Sequence, residues 1–136
     1  MKNIFLFCLS AVLFLSCAND TKKHAQTALD TGRDFIRASL DGDFKNAEAL
    51  LLKDTQNLQL FDSYKAYYER LPADKKKNYK EASYEINKYV DVDDSTSIIN
   101  YSNSFMKKPM EIKLVRVNKV WGVDFKFTYG GNTAIE

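Results

Sequence analysis

Hydrophobic rhythm along the chain changes several times. Ile4 to Leu15 is almost unbroken apolar sequence, and residues 18–26 are polar with no period. From about residue 27 to 71, apolar positions recur at helical spacing. The first stripe is Ala28, Gly32, Phe35, Ile36, Ser39 and Leu40, with Arg33, Asp34 and Arg37 off it. Asp41-Gly42-Asp43 interrupts it. Gly42 suits a left-handed helix stop, and Asp43 suits the cap of a second helix. That helix places Phe44, Ala47, Leu50 and Leu51 on one face. Asp54 then caps a third, whose stripe is Leu58, Phe61, Tyr64, Tyr68 and Leu71, and Pro72 ends it. Residues 73–80 read as a basic surface segment with room for one helical turn, carrying Lys75, Lys76, Lys77 and Lys80.

Beyond residue 80 the period falls to two. Tyr84, Ile86, Val90 and Val92 alternate with Glu85, Asn87, Tyr89 and Asp91, the pattern of a half-buried strand. Asp91 to Ser95 reads as a turn. A second strand follows from about Thr96 to Phe105, and a third from Met110 to Val117 after the Lys107-Lys108-Pro109 turn. Asn118-Lys119 is a two-residue connection. The last strand carries Trp121, Val123, Phe125 and Phe127 on one face, and Gly130-Gly131 opens a loose tail. The expectation is an α+β domain over residues 27–129. Three N-terminal helices pack on a curved four-stranded antiparallel meander, with residues 130–136 as a tail.

The apolar run at the N-terminus is too short to span a membrane. Twelve helical residues cover about 18 Å, against a hydrocarbon core of ~30 Å. With Lys2 before it, the run suits a secretory signal. It ends Phe14-Leu15-Ser16-Cys17 and turns polar at once. An apolar stretch, a small residue and then Cys resembles the lipobox of bacterial lipoproteins. The resemblance implies a signal peptide over residues 1–16, cleavage before Cys17, and a diacylglycerol-modified Cys17 followed by a tether to residue 26. Cys8 follows the bulky Phe7 and does not fit the motif. Two or more acyl chains give a stable anchor, where one is marginal. Ala18 is not the Asp that marks inner-membrane retention in such lipoproteins, which points to the outer membrane of a Gram-negative bacterium.

Composition narrows the chemistry. The 136 residues carry 20 Lys+Arg against 18 Asp+Glu, a net charge of +2. That balance lacks the strong basic excess of a nucleic-acid binder. The sequence has one His and two Cys. His24 falls in the tether, and an acylated Cys17 leaves no thiol for a disulfide in the mature chain. No cofactor motif is present. Asp91, Asp93 and Asp94 lack the spacing, Gly and closing Glu of a calcium loop, so they read as a solvated turn and no metal site is expected. The lysine run near residue 75 reads as a charged surface.

Two segments resemble small nuclear-transport-factor-2-like domains. The opening from Phe35 to Phe44, with Asp41-Gly42-Asp43-Phe44, is similar to that family's first helix and turn. The stretch from Leu114 to Phe125, with Trp121-Gly122-Val123-Asp124-Phe125 after a short turn, is similar to its last hairpin. The lipoprotein members have no characterised function. The resemblance implies a cone-shaped fold with a pocket between sheet and helices, lined by Phe61, Tyr64, Tyr68, Tyr84, Trp121 and Phe125. It does not choose a function.

Three readings stay open. A non-enzymatic module binds a small apolar ligand or an envelope protein through that aromatic set. A structural domain with a filled core recruits partners through the outer sheet face, where Tyr89 and Tyr101 are candidates for exposure. An isomerase- or dehydratase-type enzyme needs a carboxylate in the pocket, yet Asp34 and Asp124 lie off the inward stripes and Asp62 faces either way. The first reading is favoured, with no catalytic residue assigned.

Overall fold

The computed structural model describes residues 26–131. The signal segment, Cys17 and His24 lie outside the described residues. Five helices and four strands follow in the order α1 (Ala28–Asp41), α2 (Phe44–Ala49), α3 (Thr55–Glu69), α4 (Ala73–Glu81), β1 (Tyr84–Asp93), β2 (Thr96–Asn103), β3 (Met110–Val117), β4 (Val120–Val123) and α5 (Phe125–Gly131). The sheet is an open antiparallel meander of order β1-β2-β3-β4. The fold is α+β, with four helices before the sheet and one after it.

Local chemistry sets the first three helices. Thr27 and Asp30 form a reciprocal capping box on α1, the Thr27 hydroxyl accepting from the Asp30 N–H at 3.1 Å. Gly42 ends α1 at φ 72°, and the next N–H, of Asp43, donates to the Ala38 carbonyl at 2.9 Å. Asp43 caps α2 through the Asn46 N–H at 3.2 Å, and Asp54 caps α3 through the Asn57 N–H at 2.9 Å. The α1 stripe lies across β2, β3 and β4. Beneath it Ile99, Ile112, Leu114 and Val123 are fully buried.

Residues 73–81 form a complete nine-residue helix where a single turn is expected. The added length has a distant cause. The Arg37 guanidinium of α1 donates to the Ala82 carbonyl at 2.9 Å and the Lys80 carbonyl at 3.1 Å, satisfying the end of α4 from outside. The same group pairs with Asp41 at 2.8 Å.

The faces of β1 also depart from strict alternation. Ile86 pairs with Tyr101, but the next pair is Lys88 with Asn100, leaving Asn87 as a bulge. One extra residue exchanges the faces beyond it. Tyr89 therefore stands opposite buried Ile99, and Asp91 opposite buried Ser97. Val90, expected inward, is exposed instead, as is Val92 at a second register shift between Asp91 and Asp93, while Tyr89, a candidate for exposure, is exposed at 36%. Tyr101, a candidate for the outer face, is buried on the inner one.

The final strand stops at Val123 rather than continuing through Phe127. The Asp124 N–H makes one more ladder bond, to the Lys113 carbonyl at 2.9 Å, and α5 begins. Phe125 turns into the core against Phe35 and Phe61, while Gly130 and Gly131 belong to the end of α5. The β4 edge is covered: the Val123 N–H donates to the Leu50 carbonyl at 2.8 Å, and the Leu52 N–H to the Val123 carbonyl at 3.0 Å. Gly122 permits this approach, since a Cβ there would stand 2.9 Å from Leu52 Cδ2.

Candidate ligand cavity

Side chains from helices and sheet line a partly open cavity of about 380 Å³. Helical spacing aims each contribution. Phe35, Ile36, Ser39 and Leu40 come from α1, and Tyr64, Tyr67 and Leu71 from α3 and its end. Lys75 and Tyr79 lie one turn apart on α4, and Phe125 and Thr128 one turn apart on α5. The sheet side is Tyr101 and Asn103 of β2 with Met110 of β3. Phe105, Met106 and Lys108, in the loop between those strands, complete the wall.

The wall is largely aromatic. Tyr64 packs on Phe125 with centroids 5.7 Å apart, and Tyr79 meets Phe105 edge-on at 4.8 Å. Burial pushes the Tyr64 and Tyr101 hydroxyls far above the ordinary phenol range, with neighbouring phenols adding to the effect. Burial raises the Tyr79 hydroxyl as well. All three phenols are therefore neutral at physiological pH. The Tyr79 hydroxyl lies 3.3 Å from Met106 Sδ, and the Tyr101 hydroxyl 3.9 Å from Met110 Sδ, so among the described residues both have soft thioether partners.

Three polar atoms of this wall have no hydrogen-bond partner among the described residues: Ser39 Oγ, Asn103 Nδ2 and Thr128 Oγ1. Asn103 is 3% exposed and Thr128 6%, so neither is hydrated from the outer surface. Each such atom costs about 1–3 kcal/mol if left unsatisfied. The amide orientation of Asn103 is fixed by its other end. Its Oδ1 accepts from the Phe105 N–H at 3.1 Å and the Met106 N–H at 2.7 Å. The amide NH2 is therefore the free group.

Of the six aromatics expected in a pocket, Tyr64 and Phe125 line this one. Phe61 lies behind them, fully buried between Phe35, Phe44 and Phe125. Tyr68 packs on Phe44 at 4.9 Å beneath Gly42 and does not reach the cavity. Tyr84 is half-buried at the start of β1, outside the wall. Trp121 is distant because of strand register. It pairs with Arg116, six residues along β3 from the cavity residue Met110, or about 20 Å at strand rise. There it lies under the Arg116 guanidinium at 5.4 Å.

Tyr79, Tyr101, Asn103, Thr128 and the β2–β3 loop are contributors that periodicity did not single out. The signal for Tyr101 and Asn103 is their alternation with Ile99 and Ser97. All four are buried on one face of β2.

No carboxylate or imidazole lines the cavity among the described residues. Asp34 is exposed and accepts from the Gln26 amide, and Asp62 is exposed and pairs with Lys65 at 3.1 Å. Asp124 faces Lys113 and Lys126. Among the described residues no group of His, Cys, Asp and Glu is arranged to hold a metal ion, and Asp93 instead closes its turn by accepting from the Ser95 N–H at 2.8 Å. No helix among them is long and apolar enough to cross a membrane. No family model matches the chain, and neither does any curated protein or solved structure.

Proposed function

We propose that this protein is a lipid-anchored module of the bacterial envelope that binds a small, mostly apolar molecule without transforming it. The observation that carries the reading is the cavity of about 380 Å³ whose aromatic wall contains three unpartnered polar atoms. Small-molecule sites typically run from about 300 to 1,000 Å³, mainly apolar with a few placed polar groups. A ligand with an aromatic or aliphatic body and at least one oxygen satisfies both features. It fills the apolar space and accepts from the Asn103 amide.

The lipobox at Ser16-Cys17 supports the anchored location, and the tether to residue 26 supplies reach from the bilayer. The nuclear-transport-factor-2-like resemblance supports a pocket at this kind of place. The wall's phenols, hydroxyls and ammonium groups suit holding a ligand, and among the described residues no carboxylate lines it to shuttle a proton.

The test is a neutral, apolar fluorophore, N-phenylnaphthylamine, titrated into the full chain and into a Ser39→Leu variant that fills the cavity. Saturable binding to the native chain that is lost in the filled variant supports the reading. Equal binding to both places the dye outside the cavity and overturns it. Thr128→Leu fills the same space from α5, should Ser39→Leu fail to fold.

A further inference from the structure

We infer that the ligand of this cavity is an anionic amphiphile. Its apolar body fills the aromatic interior, and its acidic head sits at the opening between Lys75 and Lys108. This rests on the binding reading above and adds the chemical class of the ligand.

The first argument is the sign of the wall. Its only charged members among the described residues are Lys75 and Lys108, both exposed. They come from different elements, α4 and the β2–β3 loop, so the opening is positive on two sides. Neither lysine has an ion-pair partner among the described residues. Their neighbours differ: Lys76 donates to the Glu69 carbonyl at 2.7 Å, and Lys77 pairs with Glu81 at 3.8 Å. Lys75 Nζ instead lies 5.6 Å from the ring centre of Phe105, itself a wall residue. The ammonium is thereby held beside the cavity.

The second argument is the balance of donors and acceptors. Asn103 has spent its carbonyl oxygen on the loop and offers only N–H donors. The lysines offer only donors. Ser39 and Thr128 can donate or accept. A wall so rich in donors is matched by a ligand rich in acceptors, and a carboxylate or sulfonate is the densest acceptor available. The same Asn103 bonds tie the loop carrying Lys108 to the end of β2, so the positive rim is fixed to the buried donor. The volume admits one single-bodied molecule and not a two-chain phospholipid.

A matched pair of fluorophores tests this. Anilinonaphthalenesulfonate and N-phenylnaphthylamine share one aromatic body, and only the first carries an anion. With the full chain, the sulfonate should bind about ten-fold more tightly than the neutral amine, and the preference should shrink as salt rises. Lys75→Gln with Lys108→Gln should remove the preference while moving the neutral amine's affinity by less than about two-fold. Lys77→Gln with Lys80→Gln, on the same helix but outside the wall, should retain it. Equal affinities in the native chain overturn the inference and leave the cavity reading intact. So does a preference lost equally in the Lys77/Lys80 pair, which would put the anion on the general basic surface. If Ser39→Leu changes the binding of neither fluorophore, the cavity reading itself fails.

Discussion

Asn57 on α3 accepts a hydrogen bond from the Lys126 backbone N–H on α5 at 2.8 Å, across 69 positions of sequence. Asn57 is fully buried, and its amide nitrogen donates to Asp54 Oδ2 at 2.6 Å. The Asn57 oxygen thus serves as a remote cap on the first turn of α5. This contact directs Phe125 and Thr128 toward the cavity.

Asn57→Leu should therefore lower stability by about 2 kcal/mol, because the shape is kept while the Lys126 N–H loses its partner. Chemical denaturation reads the change. Hydrogen exchange should rise most in α5. A variant as stable as the native chain would show that α5 forms without this bond.

Gly32 is set by crowding. A Cβ there would overlap Ile99 Cδ1 and stand 3.3 Å from Ile112 Cδ1, both on fully buried side chains. Gly32→Ala should cost about 1–3 kcal/mol by overpacking, despite the better helix propensity of Ala, worth about 1 kcal/mol. Ile99→Val removes the methyl group in the way. Thermal unfolding of the double variant should show it no less stable than Ile99→Val alone; a further loss would mean that Ile99 is not what excludes a side chain at position 32.

The bulge at Asn87 has a consequence for pH. It brings the Tyr89 hydroxyl and Ser97 Oγ onto Asp91 Oδ1, and hydrogen bonds from both, Tyr89 first, hold its carboxyl below the ordinary carboxylate range. A depressed folded-state pKa contributes stability above the unfolded-state pKa, and that contribution is lost as pH falls through the folded value. Native and Tyr89→Phe chains should differ in stability at neutral pH and converge between about pH 4 and pH 2. Urea unfolding at a series of pH values measures it. A difference that stays constant to the acid limit would detach the Tyr89 hydroxyl from the Asp91 charge.

Membrane attachment is expected to depend on one atom, the Cys17 sulfur. Cys17→Ala should abolish labelling with an alkynyl fatty acid and move the chain from the membrane fraction to the soluble fraction after lysis. A Cys17→Ala chain that stays acylated would place the lipid elsewhere.

Residues 27–71 were legible because their determinants are local. Gly42, Asp43 and Asp54 act on backbone groups within a few positions, so a cap next to a stripe is enough to read a helix. The presence of β2 was legible from the turns that bound it, but its faces were not, since Tyr101 was expected outward and is buried.

The remaining features depend on partners far away in sequence. The length of α4 rests on Arg37, 45 positions from the carbonyl of Ala82 that it satisfies. The turn of Phe125 out of the strand and into α5 rests on Asn57. The faces of β1 depend on register shifts at Asn87 and again between Asp91 and Asp93, which composition and period do not mark. The cavity collects walls from all of these elements, so aromatic stripes alone placed Tyr64 and Phe125 in its lining and could not supply Tyr101, Asn103 or Thr128. By itself the sequence determined the first three helices, the presence of the strands and the α+β class, because each is written in neighbouring residues. Only the tertiary structure decided where β4 ends, which face Tyr89 takes and which polar atoms meet in the cavity, because backbone groups and buried side chains there find their partners across the fold.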